Sequence, residues 1–178
     1  MAADTNRDLR NSIYKKVTDL LSSPPASAGF TSAFTVYNET KLREAQAGTL
    51  TVVRPCCFVV DRSLRPVETA LPLVVIETII STSLFEIGNI NGVSFETTLH
   101  CFGRQRNEAS LLADFFRKNF RPLTIYDYSN PNSLTTRETA VIDPKIEITM
   151  GFAGENFRNQ GAFDHWFMTT IRGTCKDS

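Results

Sequence analysis

Leu71-Pro-Leu-Val-Val-Ile-Glu-Thr-Ile-Ile80, Val93-Ser-Phe-Glu-Thr-Thr-Leu-His-Cys-Phe102 and Arg104-Gln-Arg-Asn-Glu-Ala-Ser-Leu-Leu-Ala-Asp-Phe-Phe-Arg-Lys-Asn-Phe120 decide the fold. The first stretch is almost continuously apolar, as a strand buried on both faces is. The second alternates: Val93, Phe95, Thr97, Leu99 and Cys101 point one way, Ser94, Glu96, Thr98 and His100 the other. Between them Gly88-Asn-Ile-Asn-Gly92 carries the Asn-Gly signal of a hairpin. The third stretch is helical. Ala109, Leu112, Ala113, Phe116 and Phe120 line one face, with Leu111 and Phe115 beside them, and Arg106, Glu108, Ser110, Asp114, Arg117 and Lys118 face out. Asn107 is the expected cap, and Pro122 marks the end.

Upstream, residues 4–21 place Leu9, Ile13, Val17, Leu20 and Leu21 three and four apart, an amphipathic helix stopped by Ser22-Ser-Pro-Pro25. Thr5 with Asp8 resembles a capping box at its start. Residues 24–50 read as a long connection, in which 41–46 offer a helical turn and 34–37 a short strand. Residues 50–60 are β-branched, with Pro55 marking an edge or bulge. Downstream, residues 123–128 form a short strand and 129–143 a polar loop. Residues 145–150 form a strand with Ile146, Ile148 and Met150 on the core side. Residues 151–162 form a loop rich in Gly and Asn, and 163–172 a last strand, with Phe163, His165, Phe167 and Ile171 on one face and Trp166 and Met168 on the other. Runs of strands punctuated by single helices mean α+β. The expectation is one domain over residues 1–178. Its mostly antiparallel sheet has about five to six strands, on which the N-terminal helix and the second amphipathic helix pack.

Composition narrows the function classes. Lys plus Arg and Asp plus Glu each count 19, so the bulk cation excess that grips nucleic acid is missing. Zero net charge also gives little colloidal repulsion, which suits association. No run of 18 apolar residues is present, so a helical membrane span is not expected. The opening Met-Ala-Ala-Asp-Thr-Asn-Arg has no signal-peptide pattern, and assembly in a cytoplasm is the expectation. Thirteen phenylalanines against one tryptophan and four tyrosines point to rings that fill a core or an interface.

The chemical candidates are few. His100-Cys101 pairs a base with a thiol, but strand neighbours point to opposite faces, so the two cannot form a dyad. Cys56-Cys57 splits the same way, and no CxxC occurs; reduced, buried thiols are the reading, with a cross-link between subunits as an alternative for an exposed one. Two histidines, His100 and His165, are too few for a metal site, and no phosphate-binding glycine loop appears. Glu77 is the one carboxylate in an apolar run. Arg104, Arg106, Arg117, Lys118 and Arg121 read as the solvated side of the helix, with an acidic partner or nucleic acid as the other reading. Neither catalytic nor cofactor-binding residues are expected. The expected assembly surface comprises Phe30, Phe34, Tyr37, Arg104, Arg106, Tyr126, Tyr128, Phe152, Phe157 and Arg158, since loop aromatics either fold back onto the sheet or dock on a neighbour.

The layout from 71 to 120 resembles the tail-terminator and neck proteins of tailed bacteriophages. The resemblance rests on a strand opening with Leu71-Pro72, a break ending in Phe85-Glu-Ile-Gly88, a strand ending at His100-Cys-Phe-Gly103, then Glu108-Ala-Ser-Leu-Leu-Ala-Asp-Phe-Phe116 and a further strand, with a leading helix packed on this core. It covers roughly half the chain and is an arrangement more than a signature. It implies a virion structural protein without catalytic residues: a homo-oligomeric ring, commonly a hexamer, that caps the tail tube and joins it to the head connector while DNA passes the lumen ungripped. A head–tail adaptor or other neck completion protein is the neighbouring reading. A cysteine-dependent enzyme using Cys101 or Cys57 is a reading from another class.

Overall fold

The computed structural model describes residues 4–26, 33–63, 72–81, 92–150 and 166–176. They form three helices and eight strands: α1 Thr5–Ser22, β1 Thr35–Tyr37, α2 Glu39–Gln46, β2 Cys56–Asp61, β3 Leu73–Ser81, β4 Gly92–Phe102, α3 Arg106–Asn119, β5 Leu123–Asp127, β6 Thr135–Ile142, β7 Glu147–Met150 and β8 Trp166–Lys176. The class is α+β, as expected, and the sheet is curled and mixed. Its order is β1-β2-β3-β4-β8-β6-β5, with β7 also paired to β8. β1, β2 and β3 run parallel, and every other pairing is antiparallel.

The long β3–β4–β8 ladder forms the middle of the sheet, with Leu73 opposite Phe102 and Phe102 opposite Trp166. Period-two alternation sends one set of side chains to each face. The inner face carries Cys57, Val59, Val74, Ile76, Val93, Phe95, Leu99, Cys101 and Ile171, and on it pack Leu9, Ile13, Val17 and Leu21 of α1 and Leu112, Ala113, Phe115 and Phe116 of α3. The outer face carries Cys56, Phe58, Val60, Leu73, Val75, Phe102 and Trp166, and Leu42 of α2 covers it. β2 and the first half of β3 are therefore buried on both sides, which explains their unbroken apolar run.

Helix α1 lies against both margins of the curl. It touches β1 at one edge and β5 at the other. Ser12 Oγ accepts from the Tyr126 N–H and Asp8 Oδ1 from the Tyr128 N–H, so side chains of the helix satisfy backbone donors at the β5 margin. An edge strand left open would recruit another chain, and a covering helix is one of the standard protections.

Several expectations need correction. The cap of α1 is Asp4, whose side chain accepts from the Arg7 N–H; Asp8 is fully buried and turned toward β5 and β6 instead. Residues 24–50 hold β1 and α2, which match the strand expected at 34–37 and the helical turn expected at 41–46. Asn38 caps α2 by accepting from the Lys41 N–H, and Gly48, at φ +73°, follows its end. β2 starts at Cys56, because Pro55 has no N–H for the ladder; the peptides before Pro55 and Pro122 are cis. The expected polar loop at 129–143 contains β6, which raises the strand number above five to six. Its first five residues are polar on both faces and only Ala140 is buried, so no alternation marks it. At α3, Gln105 occupies the cap position and makes no side-chain hydrogen bond there, while Asn107 lies within the first turn. Leu111 is 58% exposed and Met150 52%, so neither is core. The turn residues 88–91 and the loop at 151–162 lie outside the described residues.

Candidate functional site

The expected assembly residues divide by where the fold puts them. Phe30, Phe152, Phe157 and Arg158 lie outside the described residues, as does His165. Phe34 and Tyr37, flanking and ending β1, are half-buried: Phe34 packs on the inner core and Tyr37 on the outer one. The Tyr37 ring lies 5.3 Å from that of Phe58, and its hydroxyl accepts from the Val53 N–H at 3.0 Å. Tyr126 and Tyr128 turn toward α1. Lys15 Nζ stands 5.9 Å over the Tyr126 ring, and the Tyr128 hydroxyl donates to the Asn11 carbonyl. These four rings fold back onto their own chain.

Arg104 and Arg106 are exposed at the start of α3. Glu108 takes hold of Arg104 twice, accepting its backbone N–H at 2.6 Å and its guanidinium at 2.7 Å. Burial disfavours ionisation of Glu108, but these contacts outweigh it and hold the carboxyl below its ordinary value. Arg117 and Lys118 both reach Asp114, whose carboxyl is pulled down chiefly by Lys118, and Arg121 donates to the Asp143 carbonyl. The basic run along α3 is thus largely matched within its own helix, at i+3 and i+4 spacing.

All four cysteines are buried. Cys57 and Cys101 face the inner core, and burial pushes both thiols well above the usual range; Cys56 faces the outer core and is also raised by burial. His100 lies on the face opposite Cys101, so the pair is split as its alternation requires. Both imidazole nitrogens are engaged: Nδ1 accepts from Trp166 Nε1 at 3.3 Å, and Nε2 meets Glu77 Oε2 at 3.2 Å. An imidazole bonded at both ends has no lone pair for a substrate proton. Glu77, isolated in the sequence, has its partner diagonally across the β3–β4 ladder. Local alternation puts His100 and Trp166 on strands, but no local spacing encodes that the two meet.

A second buried polar cluster was not anticipated. Asp8 sits at zero side-chain exposure between Arg7 at 2.9 Å and Arg137 of β6 at 2.9 Å, and also accepts the Tyr128 N–H. It fixes α1 to the β5–β6 pair. Among the described residues no group of His, Cys, Asp or Glu could hold a metal ion, and no helix is long and apolar enough to cross a membrane.

The outer sheet face beyond α2 is open. Its rows run Ser81–Ser94–Thr174–Val141, Ile79–Glu96–Arg172 and Glu77–Thr98–Thr170–Glu147. Arg172 bridges Glu96 at 2.6 Å and Glu147 at 3.7 Å, and the apolar Ile79 and Val141 stand exposed on either side. No protein-family model matches this chain, and no curated protein matches it.

Proposed function

We propose that this chain is a structural protein of a tailed-phage virion, of the tail-terminator and neck type. In this reading copies assemble into a six-membered ring in the host cytoplasm; the ring caps the tail tube and joins it to the head connector. The observation that carries the reading is the element order α1–β3–β4–α3–β5, with α1 and α3 on one face of an antiparallel β3–β4 pair. This is the arrangement on which the family resemblance rests. Three features support it. Among the described residues the cysteines are buried and His100 is engaged at both ring nitrogens, which leaves function to surfaces. Exposed Val53, Ile79, Leu111 and Val141 offer apolar contacts for neighbouring subunits. Zero net charge and the internally matched cations of α3 suit a lumen through which DNA slides without being held.

The test is the mass of the purified protein by light scattering over a range of concentrations, alone and with added tail-tube protein. A closed oligomer, or a monomer that becomes a ring on the tube, is the expected result. A strict monomer indifferent to the tube at high concentration refutes the reading.

A further inference from the structure

His100 is buried, yet it bridges two strands by polar contacts in a face otherwise built from Phe58, Val75, Phe102, Met168 and Trp166. An indole nitrogen can only donate, so Trp166 Nε1–H donates to Nδ1, which must then be unprotonated. The ring proton therefore resides on Nε2 and points at the Glu77 carboxylate. The imidazole is held neutral, in one tautomer, between a donor and an acceptor. Trp166 begins β8 opposite Phe102, and its ring stacks on Phe102 at 5.5 Å and tilts against His100 at 5.5 Å.

We propose that Trp166, His100 and Glu77 form an acid-sensitive latch, which ties the leading end of β8 to β4 and β3 and opens at its tryptophan end when the imidazole takes up a proton. The proton arrives from solvent at Nδ1. That nitrogen then carries N–H and faces the indole N–H, so the Trp166 hydrogen bond is lost while the Nε2–Glu77 contact becomes an ion pair. Glu77 of β3 is the charged group that faces His100 among the described residues, and β8 presents the uncharged Trp166 and Met168. Burial holds the imidazole below the ordinary histidine value, and Glu77 opposes that shift without overturning it. The latch is thus closed at neutral pH and opens below that value.

The chain has one tryptophan, so tryptophan emission reports on the Trp166 ring, and the variants assign any change to His100. The experiment follows emission of the full-length protein from pH 8 to pH 5, with far-UV circular dichroism in parallel. A reversible change of emission, centred below the ordinary histidine value and with the dichroism unaltered, is expected. His100→Gln removes it, and His165→Gln leaves it in place. Glu77→Gln moves the midpoint to lower pH, because the imidazolium loses its counter-charge. A flat wild-type titration, a change that survives His100→Gln or disappears with His165→Gln, or emission lost only together with the dichroism would each overturn the proposal. Should His100→Gln not fold, an unmoved midpoint in Glu77→Gln does so by itself.

Discussion

Asp8 shows how much a single buried carboxylate can organise. Arg7, Arg137 and the Tyr128 N–H converge on it, so its removal strands the Arg137 guanidinium, itself only 13% exposed. Breaking a buried ion pair from one side costs about 3–5 kcal/mol. Urea unfolding of Asp8→Ala is expected to show a loss of that size, and the double variant with Arg137→Met to recover part of it, because the second change removes the orphaned charge. The cysteines give the opposite forecast. Buried thiols with raised pKa values hold little thiolate at pH 8, so labelling of the native protein is expected to be slow for Cys57 and Cys101 and to accelerate only in denaturant. One fast thiol would favour the enzyme reading. At this scale the sequence was half legible. Alternation correctly split His100 from Cys101 and Cys56 from Cys57, because a strand's period is a local property. The partners of Asp8 and His100 were not legible: Arg137 is 129 residues from Asp8, and Trp166 is 66 from His100. Such pairs are made by the fold, and no local spacing encodes them.

The elements divide along the same line. α1 and α3 were readable because Leu9, Ile13 and Val17, or Leu112, Ala113 and Phe116, repeat at the helical period and all of them became core. β4 was readable from its alternation, and every residue assigned to its apolar face is buried. β6 was missed since an edge-side strand with Thr135, Thr136, Arg137, Glu138 and Thr139 in sequence has no apolar face to display. The parallel sense of β1, β2 and β3 was also invisible, for burial on both faces looks alike whichever way neighbours run. Where β6 crosses β8, Gly173 permits close approach: a Cβ there would come within 2.6 Å of the Val141 carbonyl oxygen and 2.8 Å of the Phe95 ring. Gly173→Ala is therefore expected to lower stability by about 1–3 kcal/mol in thermal or urea unfolding, the range for overpacking. An unchanged midpoint would mean that β6 yields without cost.

For the molecule as a whole, α1 is the element that both margins of the curled sheet lean on. A chain lacking residues 1–22 is expected to lose more than a layer of core. With the β5 donors uncovered it should self-associate through strand edges, which sedimentation would register as aggregate in place of a defined species. A truncated chain that stays soluble and folded would show that the edges are protected by other means. The same arrangement fixes a timetable. α1 is synthesised early, yet Tyr126, Tyr128 and Arg137, which fasten it, come more than a hundred residues later. At ribosomal rates of ~5–20 residues per second, that is a wait of roughly 6–25 seconds. Until then the Leu9, Ile13, Val17 and Leu21 stripe can meet only β1, β2 and β3, and its β5 side must stay covered by other means, such as a chaperone.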